Sequence, residues 1–285
     1  MTRPISFMSA NYVARMSNTA MTAGPQPGEQ ATNDLFCPIE TFGLYFEQIL
    51  MDIRAMGFMQ LDIWQAHLNW RWATADHIAV AQELLTRHRL QVTSLAGDFG
   101  ETRAEFEQSC RLAHALGIRI LGGSASLAER DRPFVAAMLA QHELVLGLKN
   151  QTEKTSADMQ AKINGSEGRI GTTVDTGWYG THGYNAAQAI RELGPAVVHV
   201  HLKDVLAVGI HQTCRFGRGI VPLKDCVQAL SQIGYQGSYT IEQEPDTADP
   251  TGAWSASRVR LTEWLSKYNV PGKLAAHFPA LTQSV

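Results

Sequence analysis

Three segments share one design, an apolar, β-branched run that ends abruptly in side chains able to hold a metal ion or move a proton. Val197-Val198-His199-Val200-His201-Leu202-Lys203-Asp204 is the most pronounced, and Thr172-Thr173-Val174-Asp175-Thr176 and Ser238-Tyr239-Thr240-Ile241-Glu242-Gln243-Glu244 repeat it. Such runs predict buried strands whose C-terminal ends open into a pocket. If neighbouring parallel strands set those ends side by side, Asp175, His201 and Glu242 converge. One imidazole and two carboxylates then make a mixed nitrogen/oxygen site for a divalent cation, Mn or Mg first and Zn or Co as alternatives. Each residue also has a plainer role. Asp175 can cap the segment that follows, and a strand histidine is often a satisfied core residue. Glu242 is harder to explain away, because a buried, unpaired carboxylate is costly. His199 and His201 are expected to face opposite sides of their strand, so that only one enters the interior.

The elements that position these ends alternate in type along the chain. Ile5 to Ala10 reads as a first strand, and about 17–34, rich in Gly, Pro, Ser, Thr and Asn, reads as a long loop covering the C-terminal face. Phe42 to Met56 has helical spacing and is stopped by Gly57, and Leu61-Asp62-Ile63-Trp64 is a second strand followed by a loop dense in His, Asn and Trp. Helices are expected at about 74–88, 103–116, 132–141, 156–163, 186–193, 223–233 and 253–267. Strands are expected at 91–96, 118–121, 144–149, up to Asp175, from Val197, and at 239–242. Eight strand–helix units in strict alternation predict a parallel sheet, and their total length suits a closed (β/α)8 TIM barrel forming a single domain over 1–285. An open doubly wound sheet would carry a Gly-rich turn after its first strand, and residues 9 to 16 contain no glycine. In a barrel, chemistry sits at the C-terminal strand ends, where this sequence places its polar groups.

The 285 residues are 45% hydrophobic with a formal net charge of −3, ample for one core and without a basic stripe for nucleic acid. Apolar stretches are broken well short of the roughly 20 residues a membrane span needs. No apolar leader follows Arg3, so a soluble, cytoplasmic protein is expected. Cys37, Cys110, Cys214 and Cys226 are widely spaced and read mostly as small core residues, not as a disulfide or zinc framework.

The ordered runs Thr173-Val174-Asp175-Thr176-Gly177, His199-Val200-His201-Leu202-Lys203-Asp204, Phe216-Gly217-Arg218-Gly219-Ile220-Val221 and Gly237-Ser238-Tyr239-Thr240-Ile241-Glu242 resemble the xylose isomerase-like barrel superfamily. Within it the sequence is most similar to the sugar phosphate isomerase/epimerase group. The Leu61–Trp64 segment, the His67 loop and Cys214-Arg215-Phe216-Gly217 also resemble the α subunits of enzymes that cleave C-glycosides after sugar oxidation. The resemblance implies a divalent metal held by Glu, Asp, His and Glu on the fifth to eighth strands. Asp175, His201 and Glu242 fill the last three places. The fifth-strand position falls in Lys149-Asn150-Gln151, where relatives typically read Glu-Asn-His, so a cation stands where a ligand is expected. Either three ligands plus water or substrate hold the metal, or Lys149 takes the metal's place, pairs with Glu242 and Asp175, and polarises a carbonyl or acts as a base. Trp178 stands where endonuclease relatives carry a further metal histidine, which argues against a zinc cluster and DNA repair.

The resemblance further implies an enzyme acting on a small ketose or keto-sugar, phosphorylated or not, through an enediolate. Lys149 and Glu242 inherit the acid and base positions. Elimination from the same enolate gives a dehydratase or C-glycoside lyase. A metal-free sugar-binding or accessory subunit is the reading that Lys149 favours from another class. His67, Trp64, Trp70 and Trp178 are candidates to stack on a sugar, and Lys203, Arg215 and Arg218 to bind a phosphate or acid at the rim. His211 and His182 are weaker candidates. Relatives of this type are often dimers or tetramers, and a hetero-subunit is a further expectation.

Overall fold

The computed structural model of the chain describes residues 3–13, 25–165, 168–244 and 250–268. Ten strands occur in chain order: β1 Ile5–Met8, β2 Gln60–Trp64, β3 Gln91–Asp98, β4 Ile120–Ser124, β5 Val145–Lys149, β6 Ile170–Asp175, β7 Val197–Leu202, β8 Asp204–Ala207, β9 Ile210–Cys214 and β10 Tyr239–Ile241. Strands β1 to β7 and β10 pair in parallel and close on themselves, β10 lying between β7 and β1. Helices follow the barrel strands, as the alternation predicts, and the fold is the expected (β/α)8 barrel. Among the described residues no helix is long and apolar enough to cross a membrane.

Local signals explain the element ends. Thr74, Thr102 and Thr155 open helices Ala75–Arg87, Arg103–Ala115 and Ser156–Ile163 with reciprocal capping boxes. Gly57 and Gly117 follow helices in the left-handed region, at φ 83° and 68°, where a side chain is disfavoured. Strand packing is close enough that a Cβ on Gly123 would lie 1.9 Å from the Gly97 carbonyl oxygen.

Several expectations are corrected. The part of the 17–34 stretch that is described belongs to the helix Pro25–Phe36, and 17–24 lie outside the described residues. Proline in a first helical turn breaks no bond, since those N–H groups have no intrahelical partner. Within that helix Thr32 Oγ1 and Asn33 Nδ2 donate to carbonyls four residues back, 2.8 and 3.0 Å away, so its polar residues support the helix they were expected to exclude. The first strand ends at Met8 and continues as a 3-10 turn, Ser9–Tyr12.

The antiparallel hairpin β8–β9 was not expected. Its base is fixed by the buried Asp204 carboxylate, which accepts from the backbone N–H of Gly217 (2.8 Å), Gly219 (3.1 Å) and Val221 (3.1 Å). Of the cysteines, Cys110 and Cys226 are core residues, whereas Cys214 is half-buried and Cys37 exposed.

His199 and His201 do not face opposite sides. Side chains two apart on a strand point the same way, and both imidazoles enter the barrel interior, where each Nε2 meets Asp62 Oδ2, at 2.6 and 3.3 Å.

Candidate active site

The ends of β5, β6, β7 and β10 are adjacent round the barrel, and the register sets Asp175 beside His201 and His201 beside Thr240. Four side chains therefore meet at the C-terminal mouth. Lys149 Nζ lies 2.9 Å from Asp175 Oδ2 and 3.1 Å from each Glu242 oxygen. His201 Nδ1 is 2.8 Å from Glu242 Oε2. Lys203, expected at the rim, is almost fully buried with its Nζ 2.9 Å from Glu242 Oε1 and 3.6 Å from both Asp175 Oδ2 and Glu244 Oε2.

Each member is held by the chain's own polar groups. Asp175 divides its oxygens: Oδ1 accepts from the N–H groups of Gly177 and Trp178, at 2.9 and 3.1 Å, capping the next helix, and Oδ2 faces Lys149. The capping contacts and the contact with Lys149 thus coexist on one side chain. Asn150 ties the end of β5 to that of β6, donating to the Asp175 carbonyl (3.0 Å) and accepting from its N–H (2.7 Å). Thr176 Oγ1 donates to the Lys203 carbonyl and accepts from the Lys203 N–H, at 2.9 and 2.8 Å. Asn11 grips the other side of the mouth, donating to Ile241 O and accepting from Gln243 N–H on either side of Glu242.

Electrostatics follow from burial and neighbours. Burial opposes the charged forms throughout. Lys149 and Lys203, with His201, nevertheless hold Glu242 well below the usual carboxylate range, and the two lysines hold Asp175 below it as well. The carboxylates in turn outweigh burial to keep Lys149 and Lys203 above the ordinary lysine range. Lys149 is therefore held in its ammonium form, facing both carboxylates as a hydrogen-bond donor. Glu244 goes the other way: burial raises it, with Lys203 opposing and Glu242 adding to the rise.

Beneath the mouth lies Asp62, which sequence reading passed over. Its Oδ1 accepts from Ser6 Oγ (2.7 Å) and from Thr93 Oγ1, and its Oδ2 bonds Thr240 Oγ1 (3.1 Å) and His199 Nε2 (2.6 Å), with His201 Nε2 lying 3.3 Å away. Burial would raise this carboxyl, but His199 and His201 hold it far below its ordinary value. Asp62, His201 and Glu242 thus form a continuous line from the barrel floor to the mouth. The signal was available, since a carboxylate inside Leu61-Asp62-Ile63-Trp64 raises the same burial problem as Glu242.

The other candidates scatter. Hairpin residue His211 enters the site, its Nε2 3.5 Å from Lys203 Nζ and its ring stacked on Trp178 at 3.6 Å between centroids. Burial and then the Lys203 charge bring it down to about 4. Trp178 therefore forms part of the wall, with His182 on its far side. Trp64 packs edge-on against His67, whose Nδ1 bonds Ser9 Oγ at 2.9 Å. Trp70 is buried and its indole N–H is taken by the Asp98 carbonyl. Arg218 is exposed and Arg215 half-buried, and neither side chain makes an ion pair among the described residues. A polar surface pocket of 420 Å³ lined by Asn33, Asp34, Asn69, Arg71 and Trp72 shares no residue with the cluster.

Burial also lowers His67 to about 3. Its unfolded form takes up a proton below roughly pH 6.5, which the folded form refuses until near 3, so stability is lost as pH falls through that window. A fully buried group of this kind contributes a slope of about 1.4 kcal/mol per pH unit. Urea midpoints measured from pH 7 to 4.5 are expected to fall, and less steeply for His67→Gln. Parallel curves for the two proteins would show that His67 is not the group responsible.

The donor atoms of Asp175, His201 and Glu242 lie within 4.8 Å of one another, a geometrically possible metal set, as do those of Asp62, His199 and His201. In the upper set the fit fails on Lys149. Its ammonium already lies 2.9 Å from Asp175 Oδ2 and 3.1 Å from each Glu242 oxygen, so a dication on those oxygens would be repelled by a like charge against the same carboxylates. Of the two arrangements open from sequence, the one present has Lys149 paired with Glu242 and Asp175.

A family model described as "Xylose isomerase-like TIM barrel" matches residues 51–266. L-ribulose-5-phosphate 3-epimerase UlaE of Escherichia coli is 39% identical over 57 residues, 20% of each chain, so the match spans about a fifth of that curated relative's length. Among solved structures, a xylose isomerase-like TIM barrel protein from Mycobacterium smegmatis in complex with magnesium superposes with a TM-score of 0.69 at 15% identity, over 94% of this chain and 98% of that one. D-allulose 3-epimerase from Methylomonas gives 0.66 at 13% identity, over 93% and 98%. At these identities the superpositions speak for the fold, and the family match carries the assignment: the chain belongs to the xylose isomerase-like TIM barrel family.

Proposed function

We propose that the protein is an isomerase or epimerase of a small ketose or keto-sugar, working through an enediolate at the barrel mouth. The observation that carries this reading is a buried carboxylate, Glu242, set between two ammonium groups at the C-terminal end of the barrel. In the reaction, Lys149 donates an N–H to the substrate carbonyl oxygen, and Glu242 removes the proton from the adjacent carbon. The C–H electron pair becomes the enediolate double bond, and the charge displaced onto oxygen is met by the lysines. Return of the proton from Glu242 to the neighbouring carbon, with that carbon's hydroxyl proton passing to the former carbonyl oxygen, gives an isomer; an epimer requires a second acid that protonates the other face of the same carbon while the first proton stays on Glu242. Lys149 supplies the contact with substrate because its side chain is 19% exposed, against 2% for Lys203. Trp178 and His211 form an aromatic wall beside Lys203 that suits the apolar face of a sugar ring. The family places the chain among sugar epimerase/isomerase-like barrels, and the curated relative acts on a ketose phosphate by name.

The test is incubation with a panel of ketoses, ketose phosphates and 3-keto-glycosides, with products resolved by NMR. Formation of an epimer or aldose isomer supports the reading. An unsaturated product would move the activity to elimination, and saturable binding without any product would favour a sugar-binding subunit.

A further inference from the structure

We propose that Lys149, backed by Lys203, permanently fills the seat a divalent cation would need among Asp175, His201 and Glu242 at the end of the barrel, so that this chain polarises its substrate with built-in ammonium groups and takes up no divalent ion there. The catalytic half of this inference rests on the carbonyl chemistry proposed above; the exclusion of the ion rests on geometry alone.

Two independent features converge on it. Lys149 Nζ bridges the two carboxylates that a metal would bridge, touching Asp175 Oδ2 at 2.9 Å and both Glu242 oxygens at 3.1 Å. The second ammonium is built in as firmly: a Cβ on Gly177 would lie 2.7 Å from Lys203 Cδ, so glycine at 177 is what lets the lysine stem pass. Two ammonium groups against the carboxylates of Asp175 and Glu242 balance the upper cluster, and a further double charge would leave it unbalanced. An ammonium is a weaker electrophile than a divalent ion, but it donates a directed N–H to a carbonyl oxygen and needs no loading.

Chelator-treated wild-type protein titrated with MnCl2 or MgCl2 is expected to give no saturable heat and no change in Tm, and its turnover of whichever ketose it accepts is expected to be indifferent to EDTA. Lys149→Glu restores a carboxylate at the fifth-strand position and is expected to bind one Mn2+, which at a hundredfold excess over Kd raises Tm by roughly 5 °C. Should that variant fold only with metal, folding on addition of Mn2+ is itself the expected result. Lys149→Gln, which removes the charge without adding one, is expected to bind Mn2+ more tightly than wild type does. Stoichiometric Mn2+ or Mg2+ on wild type, with a matching rise in Tm, overturns the inference; so does failure of both variants to take up the ion. Absence of ketose turnover alongside the expected metal behaviour would instead remove the functional reading and leave the cation assignment standing.

Discussion

A Glu242→Gln variant is expected to remain folded and to lose turnover by about 10²- to 10⁴-fold, the range over which a positioned acid–base group contributes. The amide fills the same volume but cannot take up a carbon-bound proton. It also removes the carboxylate facing Lys149, Lys203 and His201. Loss of one partner from a buried ion group costs about 3–5 kcal/mol, so a fall in Tm is expected beside the kinetic loss. The two effects separate in the assay, because substrate binding through Lys149 survives and KM should move far less than kcat. Glu242→Asp retains the base on a shorter stem and is expected to recover part of kcat. A glutamine variant that turns over within a few-fold of wild type would remove Glu242 from the chemistry.

The second large effect is expected at Asp62, below the reacting groups. Asp62→Asn leaves His199 and His201 without the carboxylate both imidazoles address, and a loss of about 3–5 kcal/mol in stability is expected. Asp62 has its carboxyl held below the unfolded value, so its contribution is in force above about pH 4 and disappears as pH falls through the depressed folded value. The deficit of the variant should therefore be largest between about pH 5 and 6, shrink in stronger acid as Asp62 is protonated, and shrink again above neutrality as His201, held above its ordinary value partly by Asp62, gives up its proton. Asp62 acts through His201 and does not touch substrate, so its kinetic effect should appear as a changed pH dependence of kcat, carried by the His201–Glu242 contact. A deficit that keeps growing on acidification below about pH 5, or a Tm equal to wild type, would show that the interior carboxylate does not organise the histidines.

The barrel and the meeting of Asp175, His201 and Glu242 were legible in the sequence for one reason. In a closed parallel barrel every strand delivers its C-terminal residue to the same rim, so finding the polar end of each apolar run suffices to predict convergence. Lys149 was legible too, as a charge of the wrong sign in a recognisable position. What escaped depends on groups far apart in sequence. Asp62 reaches across the lumen to histidines 137 and 139 residues away, numbers fixed by barrel closure and not by local pattern. His211, named from sequence only as a weaker candidate in a loop, reaches the site on the β8–β9 hairpin, which was missed because its short strands carry no long apolar run to announce them. The helix Pro25–Phe36 was hidden by composition, because residues that favour turns in isolation are here bonded back along a helix. The placing of both histidines on opposite faces was an error of period, corrected by the two-residue repeat of a strand.

The most direct measurement is proton exchange at carbon. Wild-type protein stripped of divalent metal and incubated in D2O with a ketose it binds is expected to introduce one deuterium at the carbon next to the carbonyl, seen by NMR as loss of that C–H signal, and Glu242→Gln is expected to introduce none. A ketose that is bound to saturation and never exchanges that proton, or equal exchange by both proteins, would contradict the account.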